Sequence, residues 1–242
     1  MKNLKTIIIL IVVLLFTQVA VAQLAKPTFI IRGGVSSASF IWENDLMVVG
    51  EIGDNRIGYS FGLDVEFPIN KIIDFETGLL LARKGMKLKE KMDVYVEEQF
   101  GSIGTQNVTT EYTPLYLEIP LNLKFVKPLS GISLYGTAGA YLGYGIAGKI
   151  KYSHSDYDYD DDYDDYDYEP EGTYSRDIEW GSGRRDDLKP LDLGGCLGFG
   201  VIIDKIEAGL YGSTSFINIS SSSSNGNSTR NVVFGLMVGY RL

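Results

Sequence analysis

Ser153-His154-Ser155-Asp156 brings a hydroxyl, the chain's single imidazole and a carboxylate within four residues. A hydrolase needs such groups to converge in space, with the carboxylate orienting the base. Neighbours along one loop edge do not converge in that way. His154 therefore reads as a loop histidine, and no residue is assigned a catalytic role. Cys196, the only thiol, falls on the inward parity of its strand and reads as a small buried side chain. A lone cysteine also excludes an intramolecular disulfide. Oxygen ligands crowd into DYDYDDDYDDYDYEPE, residues 156–171, which hold ten carboxylates, five tyrosines and one proline. Such clusters suit calcium, but the Gly and Glu that an EF-hand loop requires at its sixth and twelfth positions are missing. Asp158, Asp160, Asp161, Asp162, Asp164 and Asp165 remain weak divalent-ion ligands, with no firm metal site among them and no cofactor implied. Tyrosine interleaved with aspartate also offers contact area at low entropic cost, which suits an extracellular protein partner.

A second constellation is spread along the chain. Arg32, Asp64, Glu66, Asp74, Glu76, Glu118, Lys124 and Arg241 interrupt otherwise apolar stretches, each at a position of one parity. The elements that hold them are strands. From Ile57 to Phe67 every odd position is large and apolar and every even one is small or charged. That period of two marks a strand with one apolar face. Ile73 to Leu81, Leu115 to Phe125 and Val232 to Leu242 repeat it. Phe29 to Ser37, Ser133 to Lys149, Leu191 to Ile203 and Ile206 to Ile219 are weaker copies, the second without a legible register. Eight strands and no helix predict an all-β chain.

The connections alternate in length. Pro68 to Lys71, Val126 to Gly131 and Asp204-Lys205 are short. Ala38 to Asn55, Leu88 to Thr110, Ile150 to Pro190 and Ser220 to Thr229 are long. Short turns at one end and long loops at the other describe an up-and-down antiparallel barrel that crosses an outer membrane, with short periplasmic turns and long extracellular loops. The alternative is a soluble, secreted, lipocalin-like barrel that buries the apolar face and carries a small apolar ligand. Apolar tracts of about ten residues fit a tilted membrane-crossing strand, and small residues on the polar face fit a narrow interior. Folding the hairpin at Pro68 to Lys71 about its middle sets Glu66 opposite Asp74 and Asp64 opposite Glu76. Like charges so placed are destabilising, so Arg32, Lys124 and Arg241 are expected to approach from other strands. The eight ionised residues then form a salt-bridge cluster in the lumen, near the periplasmic end, that closes the barrel.

The N-terminus sets the compartment. Lys2 and Lys5 precede an apolar run from Ile7 to Phe16, and Ala20-Val21-Ala22 supplies a cleavage site. This predicts a signal peptide over 1–22, cleaved during export, and a barrel domain over 23–242. Without Lys2 and Lys5, 20 basic side chains face 31 acidic ones, a net charge of −11. That balance argues against a nucleic-acid partner. Ten of the acids lie in 156–171 alone, within a loop at about 150–190 whose composition predicts disorder. Arg176, Arg184 and Arg185 share that loop and are placed to fold back on it.

YLEIPLNLKF (116–125) resembles the fourth-strand motif of the PorT-like outer-membrane β-barrel family of Gram-negative bacteria. YGTAGAYLGYG (135–145), LDLGGCLGFGV (191–201) and the closing VGYRL (238–242) are similar to its glycine-rich strands and its end. The resemblance spans roughly Phe29 to Leu242. It implies eight antiparallel strands, outer-membrane lipid as surroundings and the barrel assembly machinery as a partner in biogenesis. It also implies a non-enzymatic structural or binding role at the cell surface, with a link to secretion; adhesion to a basic partner is what the acidic run suggests. The family usually ends in an aromatic residue, and this chain departs from it at Leu242. No catalytic residues carry over.

Overall fold

A computed structural model describes residues 26–43, 51–52, 54–95, 103–154, 172–183, 185–221 and 228–242. The segment expected to be a signal peptide and the acidic run 156–171 lie outside them.

The strands are β1 (Thr28–Glu43), β2 (Glu51–Ile52), β3 (Arg56–Pro68), β4 (Ile73–Arg83), β5 (Met86–Tyr95), β6 (Ile103–Pro128), β7 (Ser133–His154), β8 (Thr173–Asp177), β9 (Leu191–Ile203), β10 (Ile206–Ser215) and β11 (Ser228–Arg241). Eight of them close a ring in the order β1-β3-β4-β6-β7-β9-β10-β11, with β11 returning to β1. Every pairing is antiparallel, and closure runs from Ile30↔Arg241 to Glu43↔Ser228. Each ring strand sits where the period of two placed one.

Which face points outward separates the two barrel readings. Ile57, Tyr59, Phe61 and Leu63 on β3 are exposed, and so are Ile119, Leu121, Leu123 and Phe125 on β6. Asp64, Glu66, Glu76, Lys124 and Glu207 are at most 1 % exposed. The bulky hydrocarbon therefore faces out and the ionised groups face in. A lipocalin-like interior requires the reverse, so the soluble alternative fails. On β6 the apolar face runs over 11 residues, from Leu115 to Phe125. At about 3.3 Å per residue and a tilt near 45°, that is a band about 25 Å tall, the height of a membrane-crossing barrel.

Two expectations need correction. Pro68 pairs with Asp74, Glu66 with Glu76, and Asp64 with Gly78. The hairpin thus folds one residue later than its midpoint, and the pairing shifts by two. Asn70 explains the shift: its Oδ1 accepts from the backbone N–H groups of Ile72 and Ile73, both at 2.9 Å. That local turn chemistry decides where the chain reverses. The connections at one end are also not plain loops. β5 forms a long hairpin with β6, β8 pairs with β7, and β2 pairs with β1. On β5 Met86, Leu88, Met92 and Val94 alternate with Lys87, Lys89, Lys91 and Asp93, and Met86 and Leu88 turn into the core of the extension rather than toward lipid. β8 and the residues after it are described, whereas the acidic run 156–171, on which the expectation of disorder rests, lies outside the described residues.

Gly85 makes the entry to β5 possible. Its φ is 130°, a conformation that side-chain-bearing residues rarely adopt. Beyond the apolar band the strands enclose a core of their own. Phe40, Met86, Ile150, Ile178, Leu188 and Ile219 are buried there, with Trp42, Leu88, Tyr112, Tyr152 and Trp180 packed against them.

Candidate functional site

The lower half of the lumen, at the end of the short turns, is a network of charges. Arg32 enters from β1. Its guanidinium reaches Asp64 on β3 at 2.7 Å, Glu76 on β4 at 2.7 Å and Glu207 on β10 at 2.5 Å. Lys124 enters from β6. Its ammonium pairs with Glu66, lies 2.7 Å from Glu207 and 3.5 Å from Glu76, and sits over the Tyr135 ring at 4.5 Å. Arg241 on β11 closes the set, 2.6 Å from Glu66 and 3.3 Å from Glu207. Asn122 on β6 donates to Glu76 at 3.2 Å. Period two brings all of these groups inward, and small neighbours such as Ser36, Ser60 and Ala82 leave them room.

Six of the eight predicted residues therefore meet here: Arg32, Asp64, Glu66, Glu76, Lys124 and Arg241. Two do not. Asp74 pairs in register with Lys124, yet it stays half-buried at the rim and makes none of the ion pairs of the network. Its place beside Pro68, at the strand end, puts it below the level where the bases converge. Glu118 sits higher on β6, six residues from Lys124, and belongs to a separate tier. Glu207 went unrecognised because β10 is a weak strand. Its inward parity, next to Ile206 at the start of that strand, was the available signal.

The upper tier centres on Lys84, in the link between β4 and β5. Its ammonium lies 2.6 Å from Glu118 and 3.1 Å from Asp192. The Tyr141 and Tyr116 ring centroids are 4.1 and 5.3 Å away, near enough for cation–π attraction. Asp192 accepts from Ser215 at 2.7 Å, Asn231 at 2.9 Å and the Tyr141 hydroxyl at 3.2 Å. Period two had placed Asp192 on the inward face of its strand. Lys84 gave no such signal because it stands three residues beyond Leu81, where the apolar alternation ends.

Between the tiers lies a cavity of about 90 Å³, lined by Ser36, Ser60, Thr137, Cys196 and Ser213 among others. Cys196 faces it as its parity implied, 3.1 Å from the Asn122 Oδ1. Above the upper tier, Phe40, Trp42, Met86, Leu88, Tyr112 and Tyr152 border an open cup of about 390 Å³. Its rim includes Asp187, which binds Arg176 through two hydrogen bonds of 2.6 Å and accepts from the Glu179 N–H at 2.8 Å. Burial pushes the Asp187 carboxyl up, but these hydrogen bonds outweigh it and hold it below its ordinary range. Hydrogen bonding to Asp187 correspondingly raises Arg176. Arg176 is thus committed to Asp187; Arg184 and the acidic run lie outside the described residues. His154 is exposed at the end of β7. The six aspartates considered for a divalent ion also lie outside the described residues.

No curated protein matches the chain. Ail, the attachment invasion locus protein of Yersinia pestis, solved with the heparin analogue sucrose octasulfate, is 15 % identical, with 89 % of this chain and 99 % of that chain covered and a TM-score of 0.37. Neisserial surface protein A is 10 % identical over 90 % of this chain and 100 % of that one, with a TM-score of 0.38. The outer membrane protein OprG from Pseudomonas aeruginosa is 16 % identical over 89 % and 95 %, with a TM-score of 0.35. A family model described as "Outer membrane protein beta-barrel domain" matches residues 29–221. With an apolar exterior, an ionised lumen and that match over most of its length, the chain belongs to the outer membrane protein β-barrel domain family and resides in the outer membrane of a Gram-negative bacterium.

Proposed function

We propose that this barrel is closed to solutes and non-enzymatic, and that it works by presenting a binding surface outside the cell. One observation carries the reading: the lower network ties together six of the eight ring strands, with Lys124 fully buried at its centre. A charge locked among three carboxylates does not line an aqueous path. An eight-stranded barrel has room only for side chains or one small ligand. The binding surface then lies at the other end, where β5 to β8 extend beyond the apolar band and the aromatic cup opens.

The finer setting follows the PorT-like resemblance, which brings a link to secretion, and the acidic loop, which brings a link to adhesion. The acidic run 156–171 supports contact with a basic extracellular protein or loose association with divalent cations. The barrel assembly machinery is the partner during biogenesis. Conductance across a planar lipid bilayer tests the closed lumen. The expected result is no stepwise conductance from the folded protein at neutral pH. Steady openings of porin size would overturn the reading. Tyr112→Ala and Trp42→Ala should weaken any surface binding without changing the heat-modifiable migration of the folded barrel.

A further inference from the structure

Bases gather on the outer wall of the barrel, at its extracellular end and on one flank. Arg83 on β4 has the outward parity of Leu79 and Leu81, and it pairs in register with Tyr59 and with Leu115. Its guanidinium stands 6.0 Å from the centre of the exposed Tyr59 ring. Lys87 and Lys89 on β5 alternate with Met86 and Leu88, which turn into the core. Lys149 and Lys151 on β7 are exposed on either side of the buried Ile150. On the opposite flank, β9, β10, β11 and β1 reach the same end with Leu191, Thr214, Arg230 and Ile41 at outward positions. Arg230 is the one base among these.

The register arranges the bases in two columns. Glu111 on β6 stands opposite Lys87 of β5 on one side and Lys151 of β7 on the other, and Thr113 stands opposite Lys149. Neighbouring strands lie about 4.8 Å apart, so the columns run about 10 Å apart with β6 as the floor between them. Arg83 and Lys87 form one column, joined through the bend at Gly85. Lys149 and Lys151 form the other. Glu111 is four residues beyond Leu115, where the apolar face of β6 begins. At about 3.3 Å per residue and a tilt near 45°, that is about 9 Å higher. A headgroup layer is about 5–7 Å deep, and a lysine stem leans along apolar surface to keep its charge there. The columns thus stand at the depth of lipid headgroups.

The acids on this face leave it positive. Glu111 lies 3.3 Å from Lys87 and 3.9 Å from Arg56, and Asp54 lies 3.7 Å from Lys89. Asp177 on β8 is opposite Lys149 in register, without an ion pair. Arg83, Lys149 and Lys151 make no ion pair among the described residues. Arg83 also lies close enough to Arg56 to repel it. Six bases therefore share three carboxylates, and Glu90, next along β5, has the inward parity of Leu88. Like charges held side by side at a lipid border favour an anion between them.

We propose that this strip binds the headgroup of an outer-leaflet lipid that carries two phosphates, one held by Arg83 and Lys87 and the other by Lys149 and Lys151. Position selects a lipid over a soluble anion, because the columns rise directly from the apolar band at Tyr59 and Leu115. Two separated columns select two phosphates over one. The strip lies on the outer wall and does not depend on the aromatic cup.

Native mass spectra of the folded barrel, residues 23–242, in a mild non-ionic detergent give the test, with diphosphoryl and monophosphoryl lipid A as probes. The wild type should prefer the diphosphoryl probe by about fivefold or more, since attraction between a base and an anionic lipid surface is worth about fivefold per base. Lys149→Gln with Lys151→Gln removes one column and should leave the two probes nearly equal. Adding Arg83→Gln and Lys87→Gln should bring both down to the level of phosphatidylcholine. Heat-modifiable migration checks that each variant folds. Lys71→Gln with Lys127→Gln, at the short turns, should bind as the wild type does. Equal binding of the two probes by the wild type overturns the proposal, and so does undiminished binding by the fourfold variant. Displacement of the lipid by inorganic phosphate, but not by chloride at equal ionic strength, would mark a site for a soluble anion and also overturns it. So does lipid binding that emerges only when 156–171 is deleted, which would put the chain's own acidic run on the strip. Tyr112→Ala and Trp42→Ala should leave every one of these readouts unchanged, so failure of the strip and failure of the cup are distinguishable.

Discussion

Lys124 shows what a single side chain does in this lumen. Its ammonium offsets parts of three carboxylates drawn from β3, β4 and β10. Glu66 and Glu76 face each other across the β3–β4 ladder, a like-charge pairing that destabilises a sheet unless a base intervenes. Lys124→Met keeps the length of the side chain and removes that base. Breaking one partner out of a buried ion network typically costs about 3–5 kcal/mol. The expected outcome is a loss of that order in the urea unfolding of the barrel in vesicles. Lys127→Met, on the exposed stretch that leads into the β6–β7 turn, should change almost nothing.

The extracellular extension is an element with its own stability. It lies beyond the lipid and is held by its apolar core and by the Arg176–Asp187 clasp. The Asp187 carboxyl is held below its ordinary range, so the folded extension binds fewer protons there than the unfolded one. Its contribution is present above the unfolded carboxyl range and is lost as pH falls through the lowered folded value. Amide exchange across Thr173–Asp177 should therefore speed up below about pH 4 while the ring strands stay protected. Asp187→Asn should show the fast exchange already at pH 7.

At the scale of the whole molecule, the apolar band decides where the protein lives. Leu121 sits in it, exposed to the outside at 39 %. Leu121→Arg places a charge against acyl chains near mid-depth, which costs about 2–4 kcal/mol in such barrels. Folding efficiency into vesicles should fall accordingly. An outward arginine at Ile206, by the β9–β10 turn, should be tolerated much better, because the cost drops toward the interface.

The alternation in β3, β4, β6 and β11 was enough to predict the ring strands, the sorted loops and the membrane. A period of two divides a strand into two chemistries, and that division is local. The inward parity of Arg32, Asp64, Glu66, Glu76 and Lys124 was legible for the same reason. Their partners were not. Asn70 moved the β3–β4 register by two residues, and no pattern of hydrophobicity reports where a side chain will catch a turn. β8 was hidden because it is short and carries no apolar stripe, and β5 because its alternation over Met86, Leu88, Met92 and Val94 is set among lysines in a stretch that reads as a loop. Glu207 and Lys84 join their tiers only once the closed ring brings β10 and the β4–β5 link inside. Sequence alone thus determined which groups point inward, since that depends on neighbours along the chain. Only the tertiary structure decided which charges meet, since that depends on distances across a closed barrel.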